Sequence, residues 1–526
     1  MLFVFLSLVS SNPPPMFSWP PRYTIRGTWN VPYTNLSNPM TIVHEPNRQY
    51  TNQLNGAEEI WSTTAEEHIH RKIVGAGDKF ICYGYNKTVQ EWDIDLVKFL
   101  PDPEGYVAQE GLYSYRGKSC NLYIKTLNTE KTQTWKMYTD NETGYPVGYV
   151  AQAISIFSSH YDVYILNIDE FIPEALPGVW TFPIMCQNAD LLPDDPYPYS
   201  QMNLFFPGKG THEAFKKNVE ALRSRKVISK DSNHIPPRFS HMDQDTFRKM
   251  ILAKKNFKKS QLKRSVDDVC RPTSETEFIL NSETIDTSME NFSWRENKDF
   301  IVVGPPRDQV ACGSCWAFST AELLESAFAI KSKSDSREVS VNQLMDCTWE
   351  GDNFGCQGGE VAWALSVLSN KSLNIAYEKD YPYLGLSGLC ESRYMPDKQD
   401  PELEYAGKLQ DCFHVPKTRE MIKKALVKFG PLGIGINVVE SMSLYVSGAF
   451  NDTTCTGASS DLVHAVLLTG WKVIDGIETW EVKNSWSTYW GDEGYVYIQS
   501  EYPEWNCGVT TDAVAATVEL PPRRRR

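Results

Sequence analysis

Between about Tyr23 and Asn188 apolar and polar residues alternate, at least in part, over short runs such as Tyr23–Trp29, Leu122–Leu127 and Thr132–Tyr138. Side chains of a strand point alternately to its two faces, so a period of two predicts half-buried strands. Turn residues punctuate the runs at Asn55-Gly56, Glu104-Gly105, Arg116-Gly117 and Asn141 to Gly144. The stretch reads as an antiparallel β-rich domain with no catalytic motif, in which Cys82 and Cys120 could cross-link two strands. Pro193, Pro196 and Pro198 mark a linker. The period then changes: Phe215, Val219 and Leu222 fall on one helical face, and a second short helix is expected over Gln244 to Lys255. A basic stretch, Lys254 to Arg264, ends in Lys263-Arg264, a candidate processing site. From about Thr287 come an apolar helix, Gly-rich turns and cysteines. After about Gly430 come strands over Leu432–Val438, Ala465–Val473, Thr479–Lys483 and Tyr495–Gln499. A helical half followed by a β half predicts an α+β unit of two lobes.

The 526 residues give two or three domains as the prior. An apolar share of 41% with 22% charged residues excludes wholesale disorder. A net charge of −14 argues against nucleic acid as a partner, and Arg523 to Arg526 reads as a solvated basic tail. No interior run approaches the roughly 18 apolar residues that a membrane helix needs. Met1 to Val9, followed by serines and Pro13 to Pro15, reads as a short secretory signal without the usual basic start. Twelve cysteines, with sequons at Asn35, Asn86, Asn141, Asn291, Asn370 and Asn451, point the same way, to a secreted or lysosomal route.

The candidate chemistry lies in Gln309-Val310-Ala311-Cys312-Gly313-Ser314-Cys315-Trp316-Ala317-Phe318. Phe318, Leu323, Leu324, Ala327 and Ile330 follow with roughly helical spacing, so Cys315 falls at a helix N-terminus. Unpaired N–H groups and the positive dipole end favour thiolate there, and the thiolate is the nucleophile. His464, heading an apolar strand, is the candidate acid and base. Asn484 could fix the imidazole tautomer as a third triad member does. Gln309 could donate to an oxyanion beside the Cys315 backbone N–H. Cys312 to Cys315 also fits a C-x-x-C redox or metal pattern. The βαβ setting of a redox pair is not visible, and a Cys-only zinc site is foreign to an oxidising compartment.

Taken together these segments resemble the papain family of cysteine proteases, of the cathepsin L-like kind, over roughly Phe292 to Val518. Ser340 to Cys347, Gly355-Cys356-Gln357-Gly358-Gly359, Tyr381-Pro382-Tyr383, Gly430-Pro431, Asn484-Ser485-Trp486 and Trp490 to Tyr495 carry the likeness with the Cys315 segment. The resemblance implies a two-lobed α+β peptidase, with a helical lobe and a β-barrel-like lobe, over residues 286–520. Ahead of it would lie a signal at 1–11, a β-rich domain at 12–200 and a helical propeptide with linker at 201–285, with the basic tail at 521–526 behind. It implies disulfides Cys312–Cys356, Cys347–Cys390 and Cys455–Cys507, which leave Cys315 as the thiol. It implies substrate contacts at Gly358, Gly359, Glu360, Val361, Gly435 and Trp486, and Asp512 at the floor of the pocket for the second residue before the cleaved bond. That acid would add tolerance for a basic residue to a mostly apolar preference.

Glu213, Phe215, Asn218 and the Phe239–Asp243 segment resemble a cathepsin propeptide, which would block the cleft until low pH weakens its ion pairs. The β-rich domain ahead of it resembles the two-piece insect haemocyte cathepsin-like proteinases, in which that domain persists as a separate chain. Three features depart from the family pattern: Ser487 stands where the family has Gly, Ser293 precedes Trp294 where an acid is usual, and about three extra residues separate Trp294 from the nucleophile. The expected partners are protein or peptide substrates and the chain's own propeptide, with no nucleic acid, membrane, metal or cofactor. Two other readings are a dipeptidyl peptidase with an N-terminal exclusion domain and a catalytically silent binding protein. Trp316 after the nucleophile, where dipeptidyl peptidase I has Tyr, argues against the first. The presence of Cys315, His464, Asn484 and Gln309 argues against the second.

Overall fold

The computed structural model describes residues 14–32, 36–53, 58–63, 69–76, 79–86, 100–126, 134–154, 161–187, 191–192, 269–271, 279–281 and 285–522, apart from 311, 352, 396, 399, 401–402 and 475. The expected signal, the proline linker, both propeptide helices, Lys263-Arg264 and the basic tail lie outside the described residues. The chain divides into two compact units, broadly before and after residue 194.

The first unit is a 13-stranded sheet. Its strands are β1 (Tyr23–Val31), β2 (Leu36–Glu45), β3 (Arg48–Gln53), β4 (Glu58–Thr63), β5 (Ile69–Ala76), β6 (Lys79–Asn86), β7 (Val107–Ala108), β8 (Tyr113–Tyr115), β9 (Lys118–Thr126), β10 (Thr134–Asp140), β11 (Pro146–Ile154), β12 (Tyr161–Ile172) and β13 (Leu191–Leu192). The order is β13-β6-β5-β4-β3-β2-β1-β12-β11-β10-β9-β7, with β8 beside β9. Strands β1 to β4 and β9 to β12 form two antiparallel meanders joined along β1 and β12. The alternation read in Tyr23–Trp29 corresponds to the inward Tyr23, Ile25 and Trp29 of β1, with Trp29 stacked on Tyr164. A bulge falls between Arg26 and Gly27, where a side chain at Gly27 would lie 2.1 Å from the Asn167 carbonyl oxygen; only glycine fits.

The expected Cys82–Cys120 cross-link is not formed. Cys82 on β6 is bonded to Cys186 in the short helical turn Ile184–Gln187, and Cys120 on β9 is in no disulfide. The sheet order is the reason: β6 and β9 lie near opposite ends of the sheet, far beyond the few ångströms that a disulfide spans.

The second unit packs helices α1 (Cys315–Ser332), α2 (Val341–Cys347), α3 (Val361–Asn370) and α4 (Arg419–Phe429) with a nine-stranded sheet. Its strands are β14 (Phe292–Ser293), β15 (Ile375–Ala376), β16 (Tyr405–His414), β17 (Leu432–Ile436), β18 (Ala449–Phe450), β19 (His464–Ile474), β20 (Ile477–Lys483), β21 (Tyr495–Gln499) and β22 (Ala513–Glu519). They run β15-β16-β22-β17-β19-β20-β21-β18, with β14 on β19. Every residue of α1 from Cys315 to Ala329 is buried, so it is a core helix rather than an amphipathic surface one. Capping sets the ends of its neighbours. The Ser340 hydroxyl accepts from Gln343 N at the start of α2, and the Thr418 hydroxyl from Met421 N at the start of α4. The disulfides Cys312–Cys356, Cys347–Cys390, Cys455–Cys507 and Cys270–Cys412 staple this unit. Among the described residues no helix is long and apolar enough to cross a membrane.

Candidate active site

Cys315 is the first residue of α1, 1% exposed, and in no disulfide. The turn before it is held tightly. Cys312 is bonded to Cys356, Gly313 N donates to the Cys356 carbonyl at 2.8 Å, and a Cβ on Gly313 would meet that oxygen at 2.5 Å. Ser314 caps the helix through its carbonyl, which accepts from Ala317 N and Phe318 N, while its hydroxyl lies 2.7 Å from the Tyr383 hydroxyl. Tyr383 in turn donates to the Gln309 carbonyl at 2.7 Å. The sulfur thus sits where the first N–H groups of a long helix have no carbonyl partner within it.

His464 opens β19, the strand on which α1 packs. The anchor of that packing is Ser319, whose hydroxyl donates to the Val466 carbonyl at 2.8 Å. Cys315 stands one helical turn before Ser319, and His464 two strand positions before Val466. Farther along the helix, the position of a Cβ on Gly430 lies 2.5 Å from Ile330, and two residues on Leu432 pairs with Leu468 of β19, so helix and strand run the same way and Cys315 and His464 fall at the same end of the seam. The His464 ring is stacked on Trp486, with centroids 4.6 Å apart. Its Nε2 lies 2.8 Å from Asn484 Oδ1, an oxygen that also accepts from Ser485 N at 2.8 Å. The second bond fixes the amide orientation, so Nε2 carries the proton. Nδ1 is then the basic nitrogen, and it is buried with no hydrogen-bond partner among the described residues. Burial pulls the His464 pKa down to about 4, against the opposing pull of the Asn484 bond.

Gln309 is fully buried. Its Nε2 donates to the Cys312 carbonyl at 2.8 Å, its Oε1 accepts from the Ser485 hydroxyl at 2.7 Å, and its backbone N donates to Ser485 O at 2.9 Å. It is locked between the turn that delivers Cys315 and the segment that delivers Asn484.

Two ion pairs, not foreseen from the sequence, brace the same three segments. Lys483, next to Asn484 and 1% exposed, lies 2.8 Å from Glu322 of α1. Arg307, two residues before Gln309, lies 2.8 Å from Glu325 of α1. The signal was there: Glu322 and Glu325 are the charged residues of the run from Cys315 to Ile330.

The residues expected to touch substrate fall on two neighbouring surfaces. Gly358 has φ +112°, and a Cβ on Gly359 would lie 2.5 Å from Asn353 Oδ1 and 2.7 Å from the Trp316 ring. Glu360 donates its N–H to the same Asn353 oxygen and leads into α3 at Val361. On β17, the position of a Cβ on Gly433 lies 3.0 Å from Val361, and on Gly435 3.2 Å from Leu462 and 3.7 Å from Asp512. The strand's glycines thus let Val361, Leu462 and Asp512 pack close against β17. Trp486 is wholly buried behind the imidazole. Asp512 Oδ1 lies 3.3 Å from His414 Nδ1, a partner that nothing in the sequence pattern signalled. Ser487 takes φ +66°, the left-handed conformation that favours glycine, the residue the family has there. Among the described residues no cluster of His, Cys, Asp and Glu is arranged to hold a metal ion.

Residues 288–517 match the family model described as papain family cysteine protease. Pro-cathepsin H of Medicago truncatula is 34% identical over 218 residues, which cover 41% of this chain and 58% of that protein. The chain thus spans less than two thirds of that relative. Cysteine proteinase 2 of Entamoeba histolytica is 32% identical over 231 residues, covering 43% of this chain and 68% of that protein. The crystal structure of the ragweed pollen allergen Amb a 11 cysteine protease in its proform aligns at 26% identity and a TM-score of 0.48, over 61% of this chain and 92% of that one. On the family model and the Entamoeba histolytica relative the chain belongs to the papain family of cysteine proteases.

Proposed function

We propose that the chain is a cysteine endopeptidase made as a zymogen. Cys315 gives its thiol proton to His464 Nδ1 and attacks the carbonyl carbon of the scissile bond as a thiolate, and the negative charge moves to the carbonyl oxygen. Gln309 Nε2 and the Cys315 backbone N–H face that oxyanion. The protonated His464 passes its proton to the departing amine as the C–N bond breaks, leaving a thioester on Cys315. A water then attacks the thioester, His464 accepts its proton, and the acid product leaves with the thiolate restored. Asn484 keeps Nε2–H pointed away from the sulfur, so that Nδ1 does the proton work in both halves.

Gly358 and Gly359 hold the substrate backbone, and Glu360, Val361, Gly435 and Asp512 line the site of an apolar side chain, with a secondary tolerance for a basic one. Residues 201–285 serve as the inhibitory propeptide and linker. The N-terminal sheet is a domain of its own that persists as a separate chain after processing. The route is secreted or lysosomal. The observation that carries the reading is the His464–Asn484 bond, set at the end of the seam where Cys315 begins a core helix.

The test is hydrolysis of a fluorogenic peptide by the processed protein at mildly acidic pH. Gln309→Ala should lower kcat by roughly 10²–10³-fold. Cys315→Ala should abolish turnover, and undiminished turnover in that variant would sink the reading.

A further inference from the structure

The resemblance places residues 201–285 in the propeptide and linker ahead of the peptidase domain, yet two of them are built into its core. Val269 and Cys270 are 5% and 8% exposed and pack in the same apolar cluster as Trp316, Ala362, Leu365 and Cys412. Cys270 is bonded to Cys412 of β16, across 142 residues of sequence. Its carbonyl oxygen accepts from His414 N at 2.8 Å, so it also continues the hydrogen bonding of that strand. Cys270 takes φ +50°, a conformation that a non-glycine residue keeps only where its surroundings over-determine it. The covalent bond, the strand hydrogen bond and the apolar burial do so together. Leu280, ten residues on, is 1% exposed as well.

We propose that Cys270 stays with the peptidase through activation, so that Val269–Arg271 are resident in the mature enzyme and do not leave with the propeptide. The inference rests on the zymogen reading above and adds a constraint to it. A cut before Val269 leaves a peptidase chain with an N-terminal arm stapled to β16. A cut after Arg271 leaves everything upstream covalently attached, as a second chain, until the disulfide is opened. Opening it takes two electrons and two protons from a thiol reductant and yields the Cys270 and Cys412 thiols. Both sulfurs belong to buried residues, so a folded peptidase shields them from that reductant.

The experiment is mass mapping of the processed, full-length-derived protein after labelling with a tagged epoxysuccinyl thiol-protease reagent. Free thiols are blocked with iodoacetamide before any reduction. The expected result is a Cys270–Cys412 disulfide-linked peptide pair in the species labelled on Cys315, separating only after dithiothreitol. A labelled species without Cys270, with Cys412 already alkylated before reduction, would overturn the proposal. Absence of label on Cys315 would instead count against the peptidase reading. The state of Cys412 in the processed species decides the present proposal in that case too.

Discussion

Cys120 and Cys315 are the two described cysteines outside disulfides, one in each unit, and both are buried. Their surroundings differ in kind. Cys120 sits at the end of the antiparallel β9–β10 ladder, opposite Asp140 on β10, and its Sγ reaches the Lys118 carbonyl at 3.7 Å. Burial first, and the Asp140 carboxylate second, push its thiol pKa up. A ladder strand has little net dipole, and the pull of the Tyr115 backbone bond and the Lys118 charge toward thiolate is outweighed. Cys315 starts a core helix, at the end where the dipole is positive and the first N–H groups lack intrahelical acceptors, with a histidine at the same end of the adjoining strand. Depth of burial does not separate an inert thiol from a candidate nucleophile; the direction of the surrounding backbone dipoles does.

The strongest way to break this comparison is to exchange the two sulfurs for oxygen in turn. Cys315→Ser should lower kcat/KM for a peptide on the order of 10⁶-fold, as loss of a triad nucleophile does. Cys120→Ser should leave it unchanged. A comparable loss from both would erase the distinction.

The bracing of the Cys315 region gives the next effect. Lys483→Met leaves Glu322 buried without its close partner, which costs about 3–5 kcal/mol. Denaturant unfolding of the Cys315→Ala background, where self-cleavage is absent, reads it. A change under about 1 kcal/mol, the range of an exposed pair, would show that the network is solvated.

The histidine sharpens the contrast through pH. In the same Cys315→Ala full-length chain, NMR titration should show His464 protonating near 4, against about 6.5 for an unfolded histidine. Between those values the unfolded chain holds a proton that the folded chain lacks. This group's contribution is therefore present above about 6.5 and is lost as pH falls toward 4. A midpoint in the ordinary range would contradict the burial argument.

The smallest effect concerns Ser487. Its left-handed φ should relax in Ser487→Gly, a stabilisation of about 1 kcal/mol at most, since glycine also adds freedom to the unfolded chain. Thermal unfolding measures the sign, and clear destabilisation would mean that the Ser487 hydroxyl, which accepts from Tyr489 N, outweighs the strain.

The legibility of the sequence follows the range of the interactions. Strands with half-buried alternation, such as β1 and β10, were readable, as was the helix beginning at Cys315, because local period reports one-sided burial. Strands β16 and β22 were missed for identifiable reasons. A register shift between Leu409 and Asp411 breaks the alternation of β16, and β22 is buried on both faces over most of its length, so it has no alternation to show. The candidate nucleophile, histidine and asparagine stood out through the company of their neighbours in sequence. Their braces did not: the pairs Lys483–Glu322 and His414–Asp512 exist only because sheet and helix packing bring distant positions together. The pairing of Cys82 hinged on strand order, which no local pattern encodes.

The most direct test is which thiol an epoxysuccinyl reagent takes in the processed protein, offered both Cys120 and Cys315 at mildly acidic pH. The account predicts a single adduct, on Cys315, that is lost in His464→Ala while the variant stays folded. An adduct on Cys120, equal labelling of both, or undiminished labelling of Cys315 without His464 would contradict it.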